Sequence, residues 1–395
     1  MDETNAKHGS VTIGFDAKRI VRNATGLGSY GRNLVNALAA MADGRAQLLL
    51  YAPDSGRDCL RGQVRLASSS RFVYPHGHMP KWLWRSHGIV KDLVRDGVSL
   101  YHGLSGELPC GIGKAGIRSV VTIHDLIFLR HPEYYNPLDV LAYTAKFRRT
   151  IREAQRIIAI SQCTKRDIAH YGGIDPGRID VIYQSCSPRF KEKADGETCS
   201  CVRQAYALPR RYIIFVGSIE ERKNILLAVK ALKALPDDLS IVAVGRRTHY
   251  SDKVLRWAVD NGVRSRVLFL HGVPNAHLPA LYQMAEACVY PSRYEGFGIP
   301  VIEAVQSGVP VVACKGSCLE EAGGPDGIYV SPDDPRAMAE AVRSVLRGAT
   351  GRERRIAAMQ GYVKRFESAD AARRVADVYG EMLGLPLTGA GGGID

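Results

Sequence analysis

The sequence predicts an α/β protein made of two doubly wound domains, each built on a parallel sheet. Short apolar runs alternate with amphipathic stretches along all 395 residues, which is typical of strand–helix units in a parallel sheet. A polar stretch without periodicity, near residues 190–210, separates two halves that each carry this alternation. Because ligands bind at the carboxyl ends of such strands, we expect functional residues in the loops that follow them.

The predicted elements set the domain boundaries. Strands are predicted at residues 11–15, 48–52, 100–102, 119–123, 156–159 and 180–182, and then at 212–216, 240–244, 267–270, 287–290, 309–313 and 328–330. The clearest helices are predicted at residues 29–40, 224–234 and 335–346. We predict a first domain over residues 1–195 and a second over 206–367, with a helix at about 368–385 packing back on the first. The tail at 388–395 lacks core-forming residues and is expected to be flexible.

Composition and charge restrict the class of protein. With 46% hydrophobic, 24% charged and 8% aromatic residues, the chain is globular rather than collagen-like, coiled-coil or disordered. The first 200 residues carry +9 of the formal net charge of +13. This excess predicts an acidic partner and leaves open whether it is a nucleic acid, a phosphorylated ligand or an anionic membrane.

Cysteine usage and hydropathy indicate the compartment. The nine cysteines show no zinc-site spacing, so we expect no metal site and a reducing environment in which most cysteines are buried. From the sequence we expect neither a signal peptide nor a membrane-spanning helix. The expected location is the cytoplasm, either free or peripherally bound to the inner face of the cytoplasmic membrane.

The densest motif follows the predicted strand at 287–290 and runs from Glu295 to Glu303. A glycine turn at 296–298 precedes Pro300, which suits the first turn of a helix because no N–H is needed there. Free amides and the positive end of the helix dipole suit a diphosphate. The alternative is that both glutamates are ordinary surface residues. The intervening glycines and proline favour two carboxylates that hold the ends of an elongated ligand.

A second motif follows the strand at 212–216 and contains Arg222 and Lys223. Two adjacent cations in such a turn suit a diphosphate, which they hold by charge-assisted hydrogen bonds. The alternative is a solvated pair at the start of a helix. Cations at the start of a helix interact unfavourably with the helix dipole, so a purely structural pair would have a small cost there. We therefore favour the interpretation in which the two cations bind a diphosphate.

Two loops in the N-terminal half also follow predicted strands. Gly26 and Gly28 open the first long helix, and no third glycine follows at the spacing of a nicotinamide dinucleotide fingerprint. His124 follows the strand at 119–123, a position that favours a site residue over a structural one. Its neighbour Asp125 is expected either to orient the imidazole or to cap a helix.

In order and spacing, these motifs resemble those of retaining glycosyltransferase family 4. The matching runs are residues 25–30, 122–126, 156–161, 216–224, 269–273, 294–313 and 331–335. The resemblance covers nearly the whole chain and is greatest to bacterial mannosyltransferase-like enzymes of surface polysaccharide synthesis. It implies a GT-B fold, with two Rossmann-like domains facing each other across a cleft. The nucleotide-sugar donor then binds mainly to the C-terminal domain and the acceptor to the N-terminal one.

The resemblance also implies roles for individual residues. Glu303 matches the family residue that binds the donor ribose, and Glu295 matches the one that binds the donor sugar. Lys223 matches the residue that binds the donor phosphates. His124 matches the residue beside the transferred sugar. Many members carry an arginine where this chain has Ser218, so Arg222 is expected to supply the second cation. The expected donor-binding residues are Gly26, Gly28, Gly217, Ser218, Val273, Gly296, Phe297, Gly298 and Glu303.

The activity implied is a retaining, metal-independent transfer that needs no cofactor. No Asp-x-Asp motif is available to hold a divalent cation on the diphosphate. The first choice of donor is GDP-mannose, and the acceptor is expected to be a glycan or lipid-linked saccharide in polysaccharide or lipopolysaccharide (O-antigen) synthesis. Two alternatives remain: a nucleotide-sugar epimerase on the same fold, and a basic nucleic-acid-binding protein. No RNP, helix-turn-helix or KH signature supports the latter, so no nucleic-acid partner is expected.

Basic and aromatic residues also cluster in two segments of the N-terminal half. Residues 81–85 contain Lys81, Trp82, Trp84 and Arg85, and a second run contains Lys146, Arg148, Arg149 and Arg152. One interpretation is solvated helix faces with aromatic residues in the core. The other is a peripheral contact with an anionic membrane, with both tryptophans at the level of the headgroups.

Overall fold

The computed structural model describes residues 11–42, 44–77 and 79–387. The chain divides into two compact units, the first made of Met1–Gln184 and Ser368–Asp395 and the second of Ser185–Glu367. The division thus falls before residue 195, where the sequence placed the end of the first domain. The segment after residue 185 is held by the second unit, since Gln283 accepts from the amide of Ala194 at 2.9 Å. The expected flexible tail at 388–395 lies outside the described residues.

The first unit is built on a parallel sheet. Its strands in the described residues are β1 (Val11–Asp16), β2 (Ala46–Tyr51), β3 (Arg71–Val73), β4 (Leu100–Gly103), β5 (Arg118–Ile123), β6 (Arg156–Ala159) and β7 (Ile179–Val181). They are ordered β3-β2-β1-β4-β5-β6-β7, the doubly wound order whose direction of winding switches between β1 and β4. In register, Ile13 lies between Leu48 and Leu100. The strands are almost continuously apolar, as a sheet covered on both faces requires.

Helices and one irregular turn connect these strands. The helices are α1 (Lys18–Arg22), α2 (Gly26–Ala42), α3 (Asp58–Arg61), α4 (Lys81–Leu83), α5 (Ile89–Arg95), α6 (Ile127–Arg130), α7 (Pro137–Glu153) and α8 (Gln162–Gly172). A π-helical turn, Trp84–Gly88, joins α4 to α5. Asn136 caps α7 by accepting from the amide of Leu138, with Pro137 as the first helical residue.

The second unit repeats the architecture. Its helices are α9 (Gly196–Ala205), α10 (Ile225–Ala231), α11 (His249–Asp260), α12 (Leu278–Gln283), α13 (Ile299–Gln306), α14 (Leu319–Gly323), α15 (Pro335–Arg343) and α16 (Arg352–Val363). Its strands are β8 (Arg211–Val216), β9 (Leu239–Val244), β10 (Val267–Leu270), β11 (Cys288–Tyr290), β12 (Val311–Cys314) and β13 (Ile328–Val330). They are parallel and ordered β10-β9-β8-β11-β12-β13. Two doubly wound parallel sheets confirm the predicted fold class.

The last helix of the described chain, α17 (Ser368–Leu383), belongs to the first unit. Its apolar face is buried with α2 and the sheet, where Val375 and Tyr379 share a core cluster with Val35. The hydroxyl of Tyr379 lies 2.5 Å from Nδ1 of the buried His102 in β4. Packing of this kind, rather than helix propensity, stabilises a helix that is remote in sequence from its partners.

Candidate active site

The winding of the second sheet switches between β8 and β11, which pair directly. In doubly wound sheets, ligands bind outside the carboxyl ends of the strands at such a switch point. The loop after β8 carries Arg222 and Lys223, and the loop after β11 carries Glu295. Two hydrogen bonds tie the loops together: Arg222 donates to the carbonyl of Tyr294 at 2.5 Å, and its own carbonyl accepts from the amide of Arg293 at 2.9 Å.

Glu295 forms ion pairs with both predicted cations. Its Oε2 lies 3.0 Å from Nη1 of Arg222, and its Oε1 lies 2.5 Å from Nζ of Lys223. Glu295 is only 8% exposed, and burial by itself opposes ionisation. The charges of Lys223 and Arg222 outweigh burial and lower the pKa of Glu295 to about 2. The structure thus brings together three of the four residues predicted to be catalytic.

Further contacts fix the two cations in place. Nζ of Lys223 donates to the hydroxyl of Tyr290 at 2.7 Å and lies 5.0 Å from the centre of its ring. Nη2 of Arg222 lies 2.8 Å from a carboxylate oxygen of Glu220. Side chains held in this way lose little further conformational freedom when they bind an anion.

The glycine turn before α13 has a conformation that requires glycine. Gly298 has φ of +125°, and a Cβ there would lie 2.9 Å from a leucine side chain. The turn is fastened by Cys318, whose thiol donates to the carbonyls of Glu295 and Phe297 at 3.0 and 2.7 Å. The ring of Phe297 is buried 5.2 Å from that of Phe366, so only its backbone could contact a ligand. Gly296 completes the turn.

Glu303 has a different environment from Glu295. It lies half-buried on α13 and accepts a hydrogen bond from the hydroxyl of Tyr282 at 3.3 Å. Burial raises its pKa to about 7, against smaller opposing effects of Tyr282 and Arg189. None of the ion pairs found in the described residues involves Glu303. Two carboxylates whose pKa values are pushed in opposite directions are suited to different roles.

The remaining donor-site candidates of this unit lie along the same edge of the sheet. Gly217 donates to the carbonyl of Val244 at 2.9 Å, and a Cβ on Gly245 would lie 1.8 Å from the carbonyl oxygen of Gly217. The loops after β8 and β9 therefore approach each other closely, with Ser218 next in the first of them. Val273 is half-buried after β10, which is two strands away from β8.

In the first unit, His124 follows β5 with both ring nitrogens occupied. Nε2 lies 2.9 Å from the carbonyl oxygen of Leu104, and Nδ1 lies 2.8 Å from the amide nitrogen of Gln184. Because a carbonyl can only accept, Nε2 carries the proton and Nδ1 accepts from Gln184. Burial lowers the pKa of His124 to about 4, so the ring is neutral at pH 7. Asp125 accepts from the amide of Ile127 at 3.2 Å, but the N-cap position of α6 is Leu126, so Asp125 precedes the cap.

The two glycines at the start of α2 differ in their surroundings. A Cβ on Gly28 would lie 1.8 Å from the carbonyl oxygen of Asn23, so the close approach of the backbone requires glycine. A Cβ on Gly26 would meet no atom within 4 Å. Gly28 is therefore structural, whereas Gly26 leaves open space at the first turn of the helix.

The sequence matches two family models that together cover most of the chain. Residues 24–187 match "Glycosyltransferase Family 4", and residues 203–361 match "Glycosyl transferases group 1". The chain is a glycosyltransferase with a family 4 domain followed by a group 1 domain. The two loops at the switch point lie within the second match, and His124 lies within the first.

Known proteins similar to this glycosyltransferase agree with that assignment. The "O-antigen chain mannosyltransferase B" of Escherichia coli is 29% identical over 392 residues, covering 92% of this chain and 98% of that protein. The crystal structure of HepE from Anabaena, in complex with UDP and glucose, has a TM-score of 0.72 at 18% identity and covers 94% of this chain and all of its own. Sucrose-phosphate synthase of Thermosynechococcus elongatus has a TM-score of 0.74 at 19% identity, and the match covers 95% of this chain and 99% of that one. The fold is that of the GT-B glycosyltransferases.

No helix in the described ranges is both long and apolar enough to cross a bilayer. No group of three or more His, Cys, Asp or Glu side chains in the same ranges is arranged to hold a metal ion.

Neither of the two interpretations of residues 81–85 holds for both tryptophans of the transferase. Trp82 is 72% exposed, but Trp84 is 3% exposed and donates to Asp92 at 2.7 Å. Arg85 is not a free surface cation either, because it is held between Asp16 and Glu107. The segment is helical, so residues two apart point to opposite sides, and one tryptophan enters the core when the other faces outward.

Sequence reasoning missed three residues that shape the transferase site. Tyr290 is the last residue of β11. It could have been predicted as a site residue, because it lies at the carboxyl end of a predicted strand. Cys318 and Gln184 act across 23 and 60 residues of sequence, respectively. Nothing in their local sequence indicates these contacts, because a side chain that fastens a distant loop carries no periodic or spacing signal.

Proposed function

We propose that the chain is a retaining mannosyltransferase that uses GDP-mannose and acts in the synthesis of a surface polysaccharide such as O-antigen. Family membership supports transfer of a sugar from a nucleotide-sugar donor to a glycan. The name of the similar Escherichia coli protein supports mannose as the sugar. We further propose that the base of the donor is guanine, that the anomeric configuration of the sugar is retained and that the acceptor is a surface polysaccharide.

The observation that carries the proposal is the cluster of Arg222, Lys223 and Glu295 at the switch point of the second sheet. A leaving nucleoside diphosphate develops negative charge as the bond to the sugar breaks. Two fixed cations and the amides of the Gly296–Gly298 turn would stabilise that charge without reorganising during the reaction. Glu295 holds the cations in this position before the donor arrives.

The two glutamates take different parts in this proposal. Glu303 binds the ribose hydroxyls, since an ionised carboxylate accepts two hydrogen bonds from neighbouring hydroxyls. Glu295 contacts the transferred sugar while keeping its ion pairs. His124 contacts that sugar as a neutral ring. It is not a general base, because Leu104 and Gln184 occupy both of its nitrogens.

The proposed transfer occurs on the face of the sugar from which the diphosphate leaves. The bond between the anomeric carbon and the phosphate oxygen breaks as the acceptor oxygen forms its bond to that carbon. The proton of the acceptor hydroxyl passes to the departing phosphate oxygen. The products are an α-mannoside and GDP, with no cofactor consumed. Arg222 and Lys223, rather than a divalent metal, offset the charge.

We also propose peripheral contact with an anionic membrane through one face of α7. Leu138 and Leu141 are 76% and 69% exposed, and exposed Arg148 and Arg152 continue the same helical face. Apolar side chains at one end of a helix and cations further along suit insertion beside anionic headgroups. A lipid-linked acceptor would then lie at the surface to which the enzyme is bound.

A direct assay tests the proposed reaction. The protein is incubated with GDP-mannose or UDP-sugars, with and without a mannose-terminated acceptor, in Mg²⁺ or in EDTA, and NMR gives the anomeric configuration of the product. We expect an α-mannoside from GDP-mannose in both buffers. A β-product or dependence on Mg²⁺ would contradict the mechanism. Conversion of the donor without acceptor would favour the epimerase, and salt-sensitive binding to random DNA that exceeds donor binding would favour a nucleic-acid-binding protein.

A further inference from the structure

A cavity of about 700 Å³ lies at the carboxyl edge of the first sheet and is rich in cations. It begins beside Asp16, the last residue of β1, and reaches Tyr101 in β4, on either side of the switch point of that sheet. The cations that line it are Lys18, Arg22, Lys81, Arg85, Lys146 and Arg149. Both its position and its size are those of a small-molecule site.

Three of these cations form close ion pairs within the protein. Arg85 forms ion pairs with Asp16, at 2.6 Å, and with Glu107. Arg22 and Lys81 share the single carboxylate of Asp54. The cavity wall is therefore prearranged by internal ion pairs, in the same way that Glu295 prearranges the cations of the second unit.

In the described residues, the other three cations have one longer ion pair among them. Neither Lys18 nor Arg149 forms an ion pair in the described part of the chain, and Nε of Arg149 is buried without a hydrogen-bond partner there. Burial, followed by repulsion from Arg85, lowers the pKa of Lys18. Lys146 lies 3.8 Å from Glu107, which Arg85 already engages. A partly buried cation without a counter-ion is costly, and an anion in the cavity would offset its charge.

We propose that this cavity binds a phosphate ester carried by the acceptor, through Lys18, Arg149 and Lys146. This inference rests on the proposed function, and it adds the chemical class of the acceptor. Three cations match a phosphate, which presents several strong acceptor oxygens, better than they match a neutral sugar. The exposed ring of Trp82 also lines the cavity and offers an apolar face to the sugar that carries the phosphate. The donor diphosphate has its own cations, Arg222 and Lys223, in the second unit.

A calorimetric titration tests the cavity after the donor site has been saturated with the nucleoside diphosphate that binds best. The probes are mannose 1-phosphate, methyl α-mannoside and inorganic phosphate. We expect mannose 1-phosphate to bind most tightly, and more weakly at high salt. Lys18→Ala and Arg149→Ala should each weaken its binding by about ten- to a hundredfold. The matched controls Lys114→Ala and Arg166→Ala remove exposed cations of the same unit and should bind like the wild type.

The outcomes separate this inference from the proposed function. The inference would be overturned if methyl α-mannoside bound as tightly as mannose 1-phosphate, or if inorganic phosphate bound more tightly. It would also be overturned if both cavity variants bound mannose 1-phosphate with full affinity. If either alanine variant does not fold, Lys18→Gln and Arg149→Gln replace it with the same expected loss. Where transfer is measured, Lys18→Ala should raise the KM for a phosphorylated acceptor and leave the KM for the donor unchanged. Failure of nucleoside diphosphate binding in the wild type would count against the proposed function alone.

Discussion

The environments of Glu295 and Glu303 decide what each carboxylate can do. Burial acts in the same direction on both and raises their pKa values. At Glu295, two cations within ion-pair distance reverse the effect, whereas at Glu303 the hydroxyl of Tyr282 and the charge of Arg189 offset it only in part. One side chain is therefore a permanent anion, and the other changes its charge near neutral pH.

The pKa of about 7 at Glu303 predicts a pH dependence of nucleotide binding. The ionised form accepts hydrogen bonds from the ribose, so affinity for a nucleoside diphosphate should rise from pH 6 to pH 8. Glu303→Gln should bind the nucleoside diphosphate more weakly and should lose this rise in affinity. The phosphate of the ligand also titrates in this range, and calorimetry on both proteins separates its contribution from that of Glu303. Because the pKa is raised on folding, the free energy of unfolding from this group falls as the pH rises from about 4.5 to 7. Parallel pH profiles of the two proteins would contradict the assignment.

Glu295→Gln should separate binding from turnover. Loss of the carboxylate leaves Lys223 without its anionic partner and Arg222 with Glu220 alone, which should lower the free energy of unfolding by about 3 kcal/mol. The freed cations remain available to the diphosphate, so affinity for the nucleoside diphosphate should not fall, while turnover should. Denaturant unfolding, calorimetry and an activity assay measure the three quantities. Equal weakening of nucleotide binding by Glu295→Gln and Glu303→Gln would remove the distinction between the two residues.

At the scale of the elements, periodicity predicted most of the secondary structure and missed what is short or exposed. The three-residue edge strand β3 was not predicted, because it begins at exposed Arg71 and contains only two apolar residues, Phe72 and Val73. Helix α2 begins at Gly26, three residues before its predicted start, because glycines carry no periodic signal. The loops after β8 and β11 were predicted from their motifs. Their contact was not, since strand order is decided by packing across the sheet.

The start of α2 provides a matched pair of substitutions. Gly28→Ala places a Cβ 1.8 Å from the carbonyl oxygen of Asn23, so we expect a loss of several kcal/mol of stability. Gly26→Ala meets no neighbour, so folding should be unchanged or slightly improved. If a ligand approaches the backbone there, Gly26→Ala should still lower kcat/KM. Thermal unfolding and activity assays check both variants, and full activity of Gly26→Ala would exclude this residue from the site.

At the scale of the whole molecule, the excess positive charge of the N-terminal half has more than one use. Arg85 serves an internal ion-pair network, Lys18 and Arg149 line a cavity, and Arg148 and Arg152 are exposed on α7. The net charge predicted an acidic partner but could not separate these groups. Their separation depends on which side chains the fold places beside Asp16, Asp54 and Glu107.

The exposed face of α7 predicts binding to anionic membranes. Each cation near the surface should add about 1 kcal/mol, so co-sedimentation with phosphatidylglycerol vesicles should exceed that with phosphatidylcholine and fall at high salt. Leu138→Glu/Leu141→Glu should abolish it. Val259→Glu, which adds an acid at an exposed apolar position of the second unit, should not. If neither vesicle type binds the wild type, or if both variants bind equally, the proposed face is wrong.

In the proposed mechanism, the cations beside Glu295 bind the donor diphosphate. Calorimetric titration of a nucleoside diphosphate into Lys223→Ala, compared with wild type, tests this directly. The matched control is Lys193→Ala, which removes an exposed lysine of the same unit. Loss of one charge-assisted contact of about 1.5–3 kcal/mol should weaken binding by about ten- to a hundredfold in Lys223→Ala and leave the control unchanged. Wild-type affinity in a folded Lys223→Ala would contradict the account.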